Sequence, residues 1–150
     1  MQSLGLRFAD EGRAHRALLP RHRVMRWLRA ALGPGGFEIA VRVVGEAEGH
    51  ALNAGHRQGD HATNVLTFAY ERAPSVIADL VLCAPVIERE AKASGTLLEA
   101  HYAHLVVHGA LHASGFDHES AGDAARMEAR ESALLNRLGY PDPWAPTAAR

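Results

Sequence analysis

One cysteine, Cys83, is all the chain contains, so it can form no intramolecular disulfide and no thiolate cluster around a metal. Any metal site must be built from His, Asp or Glu. Long apolar runs are missing as well: none approaches the ~20 residues that a bilayer span needs, and no membrane segment is expected. The opening MQSLGLRFADEGRAHR sets charge on both sides of a few apolar residues and has no uninterrupted apolar stretch like that of a secretory leader, which points to the cytoplasm. Strong net charge is also absent, at −1, and this argues against a protein held to nucleic acid by phosphate attraction alone. There is no internal repeat and no low-complexity linker. A chain of 150 residues that is 47% hydrophobic is expected to fold as a single domain over residues 1–150.

What is present begins with an uneven distribution of charge. Residues 1–42 hold eight arginines (Arg7, Arg13, Arg16, Arg21, Arg23, Arg26, Arg29, Arg42) against Asp10, Glu11 and Glu38, giving that segment +5 and leaving −6 for the remainder. Such a segment suits a solvated helix face as well as a patch that meets phosphate, because local fields steer polyanions.

Pro20 followed by RHRVMRWLRAALG places Val24, Trp27, Leu28, Ala31 and Leu32 at helical spacing, with Gly33 at the end. FEIAVRVVG alternates as a strand does, EAEGHALNAGHRQGD reads as a short helix and a loop, and TNVLTFAYE and VIADLVLCA read as two further strands. LGLRF near the N-terminus can supply a fourth. From Pro85 the pattern turns helical: VIEREAKA ends near Gly95, TLLEAHYAHLVVHGALHASG near Gly115, and a last helix covers about Ser120 to Leu138. The fold class is α+β, and the PDPWAPTAAR tail is expected to be an extended end.

Of ten histidines, three fall within HGALHASGFDH, at His108, His112 and His118. A four-residue step on a helix rises ~6 Å and returns to nearly the same side, so His108 and His112 can face one ion. Gly115 lets the chain turn so that His118 approaches from outside the helix. Three neutral nitrogens leave a fourth position open, the arrangement of a catalytic rather than a structural zinc. His101 and His104 lie on the same stripe; His104 is expected to support a ligand or to meet substrate. Asp117 can orient a ligand imidazole, although a turn carboxylate commonly serves only its turn. Glu128 and Glu131 are read as structural or solvated. His15, His22, His50, His56 and His61 are expected to have no metal role. The HxxxHxxGxxH spacing is shared with zinc proteases, which carry Glu directly after the first His as general base. Here that position is Gly109, so peptide hydrolysis is disfavoured, whereas phosphodiester chemistry, which relies on charge neutralisation, is less damaged by the missing carboxylate.

With these residues on view, HGALHASGFDH resembles the signature of the YbeY family of bacterial metal-dependent endoribonucleases. The likeness continues through LNAGHRQGDHATNVLTF (Leu52 to Phe68), IADLVLC and MEARESALLNRLGY, covering roughly 36–140. Phe116 stands where the family usually has Tyr, Ala113 where Leu is common, and Ala62 and Ala78 replace a frequent Pro and Gly. The resemblance implies a four-stranded mixed sheet packed with about five helices and one zinc ion in a cleft at the end of a long helix. It implies cleavage of single-stranded RNA in ribosomal RNA maturation, at the 3′ end of the small-subunit RNA, and a part in ribosome quality control. The small subunit or ribosome-associated proteins are the implied partners. It also places the arginine of the LNxxxR segment, Arg57, near the metal as the residue that binds the scissile phosphate. Two other classes of function compete. One is an assembly factor that binds ribosomal components through Arg23, Arg26 and Arg29 around a structural zinc; the other is a zinc-dependent protease or amidohydrolase.

Overall fold

The computed structural model describes residues 1–55, 63–116 and 121–144, and its elements follow the periodicities of the chain. QSLGLRF forms β1 (Gln2–Phe8), and a 3-10 helix (Asp10–Leu18) leads to α1 (Arg21–Leu32), β2 (Phe37–Val44) and α2 (Glu46–Gly55). β3 (Val65–Glu71) and β4 (Val76–Cys83) precede three consecutive helices, α3 (Ala84–Ser94), α4 (Leu98–Ala113) and α5 (Ala121–Leu138). The expected N-terminal strand is present. The 3-10 helix is an addition to the five α-helices foreseen.

The four strands form one mixed sheet in the order β1-β2-β4-β3, with β1 parallel to β2, β2 parallel to β4, and β3 antiparallel to β4. Successive side chains on a strand point to opposite faces. Phe37, Ile39, Val41 and Val43 therefore share a face, and the register that sets Val41 beside Leu80 brings Leu80 and Leu82 to it. All six are buried in one core with Trp27 and Leu28 of α1 and Val106 and Leu111 of α4. The opposite face carries a smaller cluster, Val44, Leu66 and Val81, against which Leu52 of α2 and Phe68 pack. Full burial of a side chain of this size contributes about 1.5–3 kcal/mol, so the helix-covered face supplies most of the stability. The architecture is α+β, as the patterning predicts.

α4 sits at the centre, packed on β3 and β4 and flanked by α1, α3 and α5. Beyond its first turn it is buried on nearly every side, and its half-buried positions are His101, His104, His108 and His112. A helix apolar all round belongs inside a core; the histidine stripe is where this one meets solvent. At Gly109 an added Cβ would stand 3.0 Å from Leu80 Cδ2 and 3.4 Å from Thr67 Oγ1, so the absent side chain lets α4 seat directly on the sheet.

Of the tail expected to be an extended end, residues 141–144 are described and depart from it, while 145–150 lie outside the described residues. Trp27 Nε1 donates to Tyr140 Oη at 3.2 Å, and a turn follows at residues 143 and 144. Asp142 Oδ1 accepts from Ser132 Oγ at 2.7 Å and from the Trp144 backbone N–H at 2.9 Å. These bonds hold the segment back against the helices.

Candidate metal centre

The end of α4 has the geometry its sequence implies. The Ser114 N–H donates to the carbonyls of Ala110 and Leu111, the Gly115 N–H to that of His112, and the Phe116 N–H reaches back to Leu111 at 3.1 Å. These bonds satisfy the last carbonyls of the helix and reverse the chain. Gly115 lies at φ 116°, a conformation that side chains beyond glycine rarely adopt. The turn that would bring His118 toward His108 and His112 thus begins where predicted. His118 itself lies outside the described residues, as do Asp117 and the Arg57 loop.

Glu131 of α5 crosses the stripe. It is 1% exposed, and its two oxygens take one imidazole each: Oε1 lies 2.8 Å from His104 Nε2 and Oε2 lies 2.6 Å from His108 Nδ1. A carboxylate can only accept, so each imidazole donates. With a proton on Nδ1, the neutral form of His108 has Nε2 as its acceptor atom, the one it could offer to a metal. Burial works against the charge on Glu131, but the hydrogen bonds from His104 and His108 outweigh it and bring the carboxyl down to about 2. His104 and His108 therefore share one carboxylate. Glu128 is exposed, whereas Glu131 is a buried bridge between two helices.

His112 is half-buried one turn beyond His108, in the last turn of α4. The donor chemistry present suits a zinc ion: imidazoles at an i, i+4 step, one with a proton held at Nδ1 by a buried carboxylate. Among the described residues no three His, Cys, Asp or Glu side chains converge as a complete ligand set.

The other histidines in the interior are turned to structural uses. His101 Nε2 meets Glu90 Oε1 at 2.8 Å, and the same oxygen accepts from Asn64 Nδ2 at 3.0 Å, tying α4 to α3 and to the start of β3. His15, in the 3-10 helix, is 5% exposed and uses both nitrogens, Nδ1 with Tyr102 Oη at 2.6 Å and Nε2 with Glu88 Oε1 at 2.7 Å. Burial raises the Tyr102 hydroxyl well above its ordinary range, which keeps it a neutral partner for that ring.

Comparison with known proteins supplies an independent line. A solved chain of similar shape, the solution structure of TM1509 from Thermotoga maritima, superposes with a TM-score of 0.56 over 95% of this chain and 99% of that one, at 21% identity, a likeness of fold. Much nearer in sequence is the protein named Endoribonuclease YbeY of Methylibium petroleiphilum, 62% identical over 142 residues, which cover 95% of this chain and 93% of the relative. The protein of that name from an Acidovorax species is 58% identical over 146 residues, covering 95% of each. The family model described as Endoribonuclease YbeY matches residues 16–139, spanning the histidine stripe, Glu131 and the turn at Gly115. On these matches the chain belongs to the YbeY family.

Proposed function

We propose that this chain is a zinc-dependent endoribonuclease that cleaves single-stranded RNA in ribosomal RNA maturation, at the 3′ end of the small-subunit RNA, and serves ribosome quality control in the cytoplasm. The observation that carries the proposal is Glu131 holding His108 in its Nδ1–H form beside His112, on a helix that ends at Gly115. Family membership supplies the reaction class through the relatives' name.

His108, His112 and His118 would hold the zinc, which when bound supplies positive charge and Lewis acidity at the phosphodiester. The chain's own residues do the rest. Glu131 keeps the His108 proton on Nδ1, and His104 keeps Glu131 from being a half-satisfied buried charge. Arg57 is assigned to the scissile phosphate, whose oxygens match the planar fork of a guanidinium. Asp117 is assigned an orienting role toward a ligand imidazole, beside Glu131, which hydrogen-bonds His108.

The assembly-factor alternative relies on three arginines of α1; each makes a hydrogen bond within the protein, while Arg26 and Arg29 stay exposed. Arg23 Nη1 donates to Leu18 O at 2.7 Å, Arg26 Nη2 to Leu138 O at 3.1 Å and Arg29 Nε to Gln2 Oε1 at 2.9 Å. The protease alternative needs a carboxylate at 109, a buried position where even an added Cβ would stand 3.0 Å from Leu80 Cδ2.

The test pairs zinc analysis with cleavage of an RNA that ends in a single strand. Chelation is expected to abolish cleavage and added zinc to restore it. His112→Ala should lose zinc and activity together, while Arg57→Ala should lose activity with zinc content unchanged. Full cleavage by chelated protein, or by His112→Ala at full zinc content, would overturn the site.

A further inference from the structure

The chain has two tryptophans, and the fold places them oppositely: Trp27 is 0% exposed in the core, Trp144 is 48% exposed. Tryptophan is costly to leave in water, and the fold holds this one in place rather than letting it drift. Asp142 fixes its backbone N–H, Ser132 fixes Asp142, and Tyr140 is anchored by Trp27 and by Glu99. The ring meets His104 at a centroid distance of 5.4 Å and an interplanar angle of 85°. A perpendicular contact uses the edge of one ring and at most one face of the other, so an indole face remains turned away from His104. His104 is in turn 6.3 Å, ring to ring, from His108. An anchored, half-exposed aromatic therefore stands one imidazole away from the candidate metal ligand.

A protein of net charge −1 has no strongly positive overall field with which to hold RNA by counterion release alone. Binding of a single strand then calls for its other source, stacking of bases on aromatic side chains, which tolerates any sequence. Resting on the endoribonuclease reading above, we propose that Trp144 is a stacking platform for a nucleobase of the single-stranded substrate, next to the cleavage site. The ligand class is an unpaired base, and the perpendicular His104 ring forms one wall of the subsite.

Intrinsic fluorescence tests this directly, because Trp27 is sealed in the core. On rapid mixing of the zinc-loaded protein with a short oligouridylate, quenching of Trp144 emission is expected before turnover. Trp144→Leu keeps apolar bulk for packing but removes the π face; it should raise KM about tenfold at unchanged zinc content, in line with stacking on one base. Trp144→Phe and Trp144→Tyr should restore most of the loss, a rescue that a packing role would not distinguish from Leu. An abasic nucleotide at the matching substrate position should cost the parent protein as much as Trp144→Leu, and add nothing further in that variant. Unquenched emission together with unchanged KM in Trp144→Leu, while the parent still cleaves, overturns the platform alone. Absence of both binding and cleavage in the parent overturns the endoribonuclease reading with it.

Discussion

A carboxylate with 1% exposure stays ionised only where donors replace water, and Glu131 has one for each oxygen. Glu131→Gln keeps the shape but offers a single acceptor oxygen and turns an NH2 group toward an imidazole N–H. Zinc affinity is expected to fall about 10–100-fold, read by competition with a chromogenic chelator, with far-UV circular dichroism unchanged. Unchanged affinity would remove Glu131 from the site. His104→Ala separates support from ligation: it strands Oε1 at a cost of about 1–3 kcal/mol in stability, yet zinc content should persist because the His108 contact remains. Zinc loss as complete as in His112→Ala would make His104 a ligand instead. The spacing of His108, His112 and Gly115 was legible because helix geometry is local. Glu131 was not, since its partners lie 23 and 27 residues away and only the packing of α5 on α4 brings them together.

Elements with a clean period were readable from the chain, and those stabilised by remote polar contacts were not. β2 and α1 follow their apolar patterns almost to the residue. The 3-10 helix has no apolar stripe to announce it; its buried residues are Gly12 and His15, and His15 is satisfied by Glu88 and Tyr102, 73 and 87 positions on. α4 adds a constraint that periodicity does not carry. Gly109→Glu pushes a carboxylate toward Leu80 and Thr67, and a loss of more than about 4 kcal/mol is expected, seen as insoluble or unfolded protein without peptidase activity. A soluble variant with native thermal stability would mean that α4 can lift off the sheet. At the other end of the same helix, Gly115→Ala strains a positive φ by about 1–3 kcal/mol and should lower both the melting temperature and zinc affinity.

Across the whole molecule, arginines of the basic first segment reach partners in the acidic remainder at the partly exposed rim of the fold. Arg26 closes α1 onto the last carbonyl of α5, Arg23 pairs with Glu99 of α4 at 3.3 Å, and Arg42 grips Glu48 through two bonds. Charge composition alone could not show this, because it does not say which donor meets which acceptor. Arg26→Ala is accordingly expected to cost about 1 kcal/mol in thermal or urea unfolding while leaving cleavage of a short RNA intact. A large drop in cleavage at unchanged stability would return that face to substrate binding. Gly109 has a further consequence on the scale of the molecule's history. One nucleotide change can turn a glycine codon into a glutamate codon, and at this position that change writes the protease motif. The seat of α4 on Leu80 makes this shortest mutational path a costly one, because a side chain added at 109 requires Leu80 to give way.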